Sequence, residues 1–458
     1  MPETTLDNAE KTTAPSESKQ KKRQPKTKAA IMPSNPTERE EAGPYFQLTC
    51  DQADLAQHLG LVSHVVPAKP TVAVLGNVLL AADQKTQQVH LTVFNLSLGI
   101  RTTFNAKVMS SGETTIPVEL LNLIVTKLPA GEVTLSNFLL RKKSVTQGQE
   151  EQDQENGLIT RLKVEGGEYQ VRGISAEEFP ALPSSAKSTH TYRLPTEALT
   201  EGLKGTIFTA SKDETKRIIT GVNIKIEANI ISFAATDGHR LALVKTSIQG
   251  TGNKKAKETP ETLSLTVPSK TLTELLRILN SSKPTNEPVE LRYEKETETL
   301  TLSWGKFYLT SRCLEGDFPP YQDMFAVNLT QTVTIEKMPL IKALERLNTL
   351  ADNKERMVVL NLEPTSQKLS LSVEREFGKG KEEITAVAEP ESDLQIAFNI
   401  RYFLEGAKSI NTEQIQINIT HSLGPCIITP FGNRNNSTRF FDSKYLLMPL
   451  QIINGSPK

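Results

Sequence analysis

The sequence is poor in the residues that mark secreted, metal-binding and membrane proteins. It has three cysteines among 458 residues, Cys50, Cys313 and Cys426, which lie far apart and form no CxxC pair. This scarcity argues against a disulfide framework or a structural zinc site and favours a reducing compartment. No apolar run approaches the ~18 residues of a membrane span, and the N-terminus lacks the apolar core of a secretory signal. We therefore expect a cytoplasmic protein with no membrane contact.

The chain also lacks net charge, because Lys+Arg and Asp+Glu both number 53. Nothing in this balance demands a polyanionic partner, so any DNA binding must come from the distribution of charge. Common catalytic motifs are missing too: the sequence contains no GxSxG, no HExxH and no Cys–His pair.

The most enzyme-like cluster is FAATDGHRLALV, residues 233–244, which sets Asp237 two residues before His239. Catalysis by this pair would need a nucleophile or a metal beside it. A structural histidine is the commoner case, so we predict no catalytic site, no metal and no cofactor. An Asp–His hydrolase is a third possibility, and it predicts that His239→Ala abolishes turnover.

The length predicts about three domains. Residues 1–44 have almost no bulky apolar side chains and are expected to form a disordered tail. Its basic segment, Lys19 to Lys28, is more typical of a solvated charge run than of a phosphate contact. Residues 454–458 are expected to be a C-terminal extension.

An internal repeat organises the rest. The helical spacing i, i+3, i+4, i+7 begins at Leu121, Leu272 and Ile400, each time after a short strand and a Pro or Asn. A second helix type precedes each of these, beginning at Leu55, Leu199 and Leu340. Alternating strand pairs lie between the two helix types, starting at Gly76, Gly221 and Met357.

The repeats predict an α+β protein of three similar two-helix, antiparallel-sheet domains, at 45–187, 188–329 and 330–453. Polar inserts that begin at Thr146 and Asn253 are expected to be solvated loops. Closing the repeats into a ring would remove unpaired sheet edges.

Basic residues recur on the predicted outer helix faces and are suited to line one positive surface. Helices also carry Lys and Arg simply because these residues favour helix formation, so that explanation stays open. The residues are Lys127, Lys204, Lys270, Arg277, Lys342 and Arg346.

Three phrases occur together with the repeat: ATDGHRLA from Ala235, EGDFPPY from Glu315 and YLLMPLQ from Tyr445. In this combination the chain resembles, over residues 45–453, the bacterial replicative sliding clamp, the beta subunit of DNA polymerase III. The resemblance implies the DNA clamp fold, a head-to-tail homodimeric ring around duplex DNA without sequence reading, and no catalytic activity. A partner-recruiting scaffold that reuses the fold without encircling DNA is the alternative.

The resemblance also implies partners and sites. The partners are the polymerase III alpha subunit, the clamp loader and other proteins with a clamp-binding motif, which share one peptide cleft. The cleft positions in this chain are Lys216, Ile219, Thr236, Gly238, His239, Arg240, Leu241, Pro319, Asp323, Met324, Asn399, Tyr402, Leu423, Pro425, Leu446, Leu447, Met448, Pro449, Leu450 and Gln451.

Two positions, Lys69 and Arg217, carry over as DNA-facing residues. The chain departs from the family pattern at Lys216 and Asp323, where the family commonly has Arg, and at Gln451, where the family residue is often basic. These departures concern the rim of the cleft more than its apolar floor. His239 and Arg240 are expected to orient a partner's peptide.

Overall fold

A computed structural model describes eleven parts of the chain, and it contains three copies of one arrangement of helices and strands. The described residues are 38–40, 45–142, 154–183, 190–248, 262–281, 287–351, 356–363, 365, 367–389, 392–434 and 441–452. Across this part of the chain, no helix is both long and apolar enough to span a membrane.

Each repeat has two helices and eight or more strands. The first contains helices α1 (Gln52–Ser63) and α2 (Val118–Lys127) and strands β1 (Glu38–Glu40), β2 (Gln47–Asp51), β3 (Asn77–Asp83), β4 (Gln88–Phe94), β5 (Leu98–Asn105), β6 (Lys107–Ser110), β7 (Gly112–Pro117), β8 (Glu132–Lys142), β9 (Gln154–Val164) and β10 (Gly167–Gly173).

The second repeat contains α3 (Thr196–Lys204), α4 (Ser269–Ser281), β11 (His190–Leu194), β12 (Gly221–Glu227), β13 (Ile230–Thr236), β14 (Arg240–Ser247), β15 (Leu263–Pro268), β16 (Val289–Glu294), β17 (Thr299–Trp304) and β18 (Phe307–Arg312).

The third repeat contains α5 (Lys337–Asn348), α6 (Ile400–Ser409), β19 (Gln331–Glu336), β20 (Met357–Glu363), β21 (Lys368–Arg375), β22 (Gly378–Glu389), β23 (Leu394–Asn399), β24 (Thr412–Ile419), β25 (Cys426–Arg434) and β26 (Phe441–Leu447). The predicted fold class, three two-helix antiparallel-sheet units, is confirmed.

The helices begin where the sequence offers a start signal. Pro117 precedes α2 and Pro195 precedes α3, where a fixed φ and a missing N–H suit the first turn. Before α6, the side chain of Asn399 accepts hydrogen bonds from the N–H groups of Arg401 and Tyr402. The apolar stripe of each helix is buried, so the helical spacing was a reliable guide to the core.

Strand pairing joins successive repeats into continuous sheets. β5 of the first repeat pairs antiparallel with β18 of the second, and β14 of the second pairs antiparallel with β26 of the third. The two junctions therefore lie inside an 8-stranded and a 12-stranded sheet. Backbone hydrogen bonds hold neighbouring repeats together in addition to side-chain packing.

Three expectations about local structure need correction. Glu38–Glu40, expected in the disordered tail, forms β1 and pairs with β8, because a strand pairs through its backbone and needs no apolar side chains. The end of the first insert, from Gln154, lies in β9 rather than a loop. The helix predicted across Leu199 to Ala210 ends at Lys204, where Gly205 follows. Most of the tail, most of both inserts and 453–458 lie outside the described residues.

Candidate binding cleft and nucleic-acid interface

The Asp-Gly-His segment forms the turn between β13 and β14, and its polar side chains build that turn. The Asp237 carboxylate accepts hydrogen bonds from the N–H of His239 at 2.9 Å and of Arg240 at 3.2 Å. The Thr236 hydroxyl accepts from the N–H of Gly238 and donates to the Arg240 carbonyl. Gly238 has φ +94°, a conformation that favours glycine. The polar side chains of the motif that suggested an active site therefore stabilise the backbone of this turn.

Arg240 is buried, with 6% of its side chain exposed, and is fully engaged inside the protein. Its Nε donates to Asp237 at 2.9 Å, Nη1 to Glu405 of α6 at 2.5 Å and Nη2 to the carbonyl of Phe208 at 2.8 Å. The guanidinium also lies 4.1 Å from the ring centre of Tyr402. Each of the three guanidinium nitrogens donates a hydrogen bond inside the protein, so Arg240 ties the β13–β14 turn to α6. Its expected role in orienting a peptide stays a prediction.

The electrostatics of this junction agree with the geometry. Burial by itself lowers the pKa of Arg240, but Tyr445, Glu405 and Asp237 together raise that pKa above its ordinary value. Burial raises the pKa of Glu405, yet the hydrogen bonds from Arg401 and Arg240 hold it below its ordinary value. The pair is therefore charged at neutral pH.

The floor of the predicted cleft comes from two paired strands. Leu241 of β14 stands opposite Leu446 of β26, and both are buried beneath Phe318, Tyr321 and Phe325 of the segment that connects the second and third repeats. Alternation along β26 turns Leu447 to the other face, where it packs in the core of the third repeat. Leu447 was predicted to line the cleft, and the structure assigns it to that core instead.

Four of the predicted cleft residues are large, apolar and exposed. The exposed fractions are 49% for Met324, 60% for Leu423, 41% for Met448 and 38% for Leu450. Hydrogen bonds fix the last segment, from the N–H of Met448 to the carbonyl of His239 and from that of Leu450 to Ala397. Met324 lies in a 3-10 helix, Asp323–Phe325, directly before Phe325 of the floor cluster. Large exposed apolar side chains of this kind are typical of an interaction surface.

The remaining predicted cleft residues divide between rim and support. The exposed rim consists of Lys216, Gly238, His239, Asp323 and Gln451, with Pro319, Pro425 and Pro449 half-buried. Support comes from Ile219, which is buried, from Thr236, from Asn399, which caps α6, and from Tyr402, whose carbonyl accepts from the Tyr445 hydroxyl.

The predicted DNA-facing residues are also not equivalent. The side chains of Lys69, Lys127, Lys204, Arg217, Lys270, Lys342 and Arg346 are exposed. Arg346 is held by both carboxylate oxygens of Glu382 at 2.7 Å. Lys204 pairs with Glu201, and Lys270 pairs with Glu214, both at 3.2 Å. Exposed pairs of this kind are weak and leave the lysines available.

Arg277 does not belong with the exposed group. Its Nη2 donates to the carbonyl of Leu61 at 2.5 Å and its Nη1 to that of Gly60, while Nε pairs with Glu274. Those carbonyls lie in the last turn of α1, where a helix leaves acceptors unsatisfied. Arg277 therefore joins the second repeat to the first, and its prediction as a DNA contact needs correction.

Sequence reasoning missed two basic residues on the helix side. Lys212 and Arg401 line, with Lys270 and His64, a groove of about 660 Å³ between helix ends of the three repeats. A signal for Arg401 was present, because it follows Asn399 as Lys270 follows Pro268 in the second repeat.

Comparison with known proteins covers the whole repeated region. Models of the DNA polymerase III beta subunit match in order, the N-terminal domain at residues 46–183, the central domain at 193–320 and the C-terminal domain at 323–450. The beta sliding clamp of Synechococcus elongatus is 41% identical over 412 residues, covering 89% of this chain and 100% of that protein. That of Synechocystis is 38% identical over 414 residues, with coverage of 89% and 100%. The solved sliding clamp of Bacillus subtilis aligns with a TM-score of 0.75 at 23% identity, covering 89% of this chain and 100% of that one.

Proposed function

The chain belongs to the DNA polymerase III beta subunit family, the bacterial sliding clamps, and we propose that two copies form a cytoplasmic ring around duplex DNA. Sliding clamps are processivity factors and not enzymes. The ring tethers the replicative polymerase and exchanges it for the clamp loader and other partners at the cleft. The proposed domains are 45–187, 188–329 and 330–453.

The observation that carries the ring is the repeated pairing between neighbouring repeats. β5 pairs with β18 and β14 pairs with β26, while among the described residues β10 pairs with β9 alone, and β22 has an open edge along Gly378–Thr385. β10 of the first repeat is equivalent to β18 and β26, and β22 of the third repeat is equivalent to β5 and β14. A second copy offers each open edge its missing partner, and such head-to-tail pairing closes after two copies.

Equivalent positions in the repeats give the register of this third pairing. Thr310 pairs with Gly99, and Leu446 pairs with Leu241. Thr310 and Leu446 each lie four residues before a residue that forms an isolated β-bridge, Leu314 and Leu450. The equivalent bridge residue of the first repeat is Ile174. Gln170 is therefore the equivalent of Thr310 and Leu446.

On the other strand, the pairs Phe94↔Gly99 and Thr236↔Leu241 correspond to Glu374↔Lys379. Lys379 of one copy should then stand opposite Gln170 of the other, with Gly380 opposite Tyr169 and Lys381 opposite Glu168. The last pair is favourable in charge, and the glycine leaves room for the tyrosine ring.

The helices support the same closure. Position 6 after the helix-starting Pro or Asn is Glu274 in α4 and Glu405 in α6. Glu405 pairs with Arg240 of the preceding repeat, and Glu274 pairs with Arg277, whose guanidinium donates to the Leu61 carbonyl of the preceding repeat. In α2 this position is Leu123, exposed at 60%, and Leu120 one turn earlier is exposed at 47%. In a ring, these leucines would face the third repeat of the second copy and be covered.

DNA would be held by exposed lysines and arginines of the helices through phosphate contacts that carry no sequence information. Primer extension on circular DNA, with clamp loader and polymerase, tests the function. We expect much longer products in the presence of this protein, and unchanged product length would refute it. The scaffold alternative predicts a monomer at micromolar concentration in a sizing experiment and no retention on closed circular DNA.

A further inference from the structure

Asp323 is an exposed acidic residue at the rim of the predicted cleft. Its side chain is exposed, and within the described parts of the chain its carboxylate forms no ion pair and accepts no hydrogen bond. Two lysines of the neighbouring strands, Lys245 and Lys444, form no ion pair with it either. An exposed carboxylate without a partner costs the folded protein little free energy, so its exposure alone does not indicate a function. The position of Asp323, on an anchored turn beside an exposed apolar residue, is what indicates a function.

The backbone holds Asp323 in a fixed place above the apolar floor. The carbonyl of Asp323 accepts from the N–H of Ala326, and the N–H groups of Met324 and Phe325 are bonded to the two preceding carbonyls of Tyr321 and Gln322. Tyr321 and Phe325 pack on Leu241 and Leu446. A side chain on this anchored turn keeps its place when a ligand approaches, because no loop needs to be ordered.

The neighbours of Asp323 connect it to the exposed apolar surface. Met324, the next residue, is one of the four exposed apolar side chains of the cleft. Any extended peptide that covers Met324 passes within side-chain reach of the Asp323 carboxylate. Asp317, on the same connecting segment before Phe318, is also exposed and adds negative charge to this rim.

Two other exposed residues of the segment before β12 carry positive charge. Lys216 and Arg217 precede the buried Ile219, are exposed, and form no ion pair among the described residues. The predicted cleft thus includes exposed negative charge on the connecting segment and exposed positive charge at residues 216–217. Charge complementarity at a rim contributes specificity more than total affinity.

Resting on the proposed function of the cleft, we propose that Asp323 selects partner peptides that carry a Lys or Arg beside their apolar anchors. The apolar anchors bind Met324, Leu423, Met448 and Leu450, and the cation binds the Asp323 carboxylate. Peptides with Glu at that position are rejected, because two like charges then meet at the rim.

The test uses the full chain and a short fluorescein-labelled peptide with leucine and phenylalanine anchors. Lys, Gln or Glu is placed in turn at each position that flanks the anchors, and Kd is measured by fluorescence anisotropy at low and high salt. At one flanking position we expect the Lys peptide to bind roughly two- to fivefold more tightly than the Glu peptide, with the difference shrinking at high salt.

The variant D323K should reverse this preference, and D323N should abolish it. Glu315→Lys is the matched control, since it changes the same charge on the same segment at another exposed residue, and it should leave the preference largely unchanged. Equal binding of Lys and Glu peptides at every position, in the wild type and in D323K, would overturn the role of Asp323 while leaving the cleft intact. Failure of all peptides to bind the wild-type chain would instead refute the cleft.

Discussion

Arg240 of β14 and Glu405 of α6 form a 2.5 Å ion pair across the junction between the second and third repeats, although 165 positions separate them in the chain. Glu405 also pairs with Arg401 at 2.9 Å. One carboxylate therefore connects the turn that forms a wall of the cleft with the helix whose first turn carries an exposed cation. The turn that we propose as one wall of the cleft is held to α6 by this pair.

Replacing Glu405 by Gln should weaken the junction. Arg240 keeps Asp237 but loses a charged partner while it stays buried, at a cost of roughly 1–2 kcal/mol, reduced because Glu405 is partly exposed. We expect a lower Tm and weaker peptide binding. Glu345→Gln is the control, because it breaks the more exposed pair with Lys408 and should change neither quantity. An unaltered Tm in the Glu405 variant would contradict the role of the pair.

The same pair predicts a dependence of stability on pH. The pKa of folded Glu405 lies below its ordinary value of 4.5, so its contribution is present above that value and is lost as the pH falls through the folded pKa. The difference in Tm between the wild type and Glu405→Gln should be constant from pH 7 to about 4.5 and shrink at lower pH. A difference that grows on acidification would have the wrong sign for this mechanism.

Two leucines of equal exposure separate ring closure from partner binding. Leu123 on α2 and Leu423 beside the cleft are each exposed at 60%. Leu123→Asp should weaken the association of two copies by roughly 2 kcal/mol, about thirtyfold in Kd, and leave peptide binding unchanged. Leu423→Asp should do the reverse. Sizing by light scattering and peptide anisotropy on both variants check this, and a dimer unaffected by Leu123→Asp would contradict the proposed interface.

Arg277→Met should lower stability without a specific loss of DNA affinity. The change leaves the Gly60 and Leu61 carbonyls at the end of α1 without their donor, which costs roughly 1–3 kcal/mol. Lys342→Met on α5 is the matched control, because that lysine is exposed and should affect the salt dependence of DNA retention and not the Tm. A normal Tm for Arg277→Met, together with weaker DNA retention, would restore Arg277 to the DNA-facing set.

The sequence determined the features that depend on neighbours along the chain. Within the described residues, the apolar spacings located six helices, the Pro and Asn signals located the starts of α2, α4 and α6, and the repeat predicted three similar units. Gly238 was identifiable as a turn residue because few other residues adopt its backbone conformation readily. The resemblance to sliding clamps also predicted a cleft, and four of its predicted residues are apolar and exposed.

Only the tertiary structure decided which of the named side chains remain available. Arg240 and Arg277 look like surface cations in the sequence, but contacts with Glu405 and with the end of α1, more than 160 positions away, draw both inward. Leu446 and Leu447 are adjacent and alike, yet they belong to different clusters, because pairing with β14 and β25 fixes which face of the sheet each meets. Burial is set by these distant partners, and no local pattern along the chain contains them.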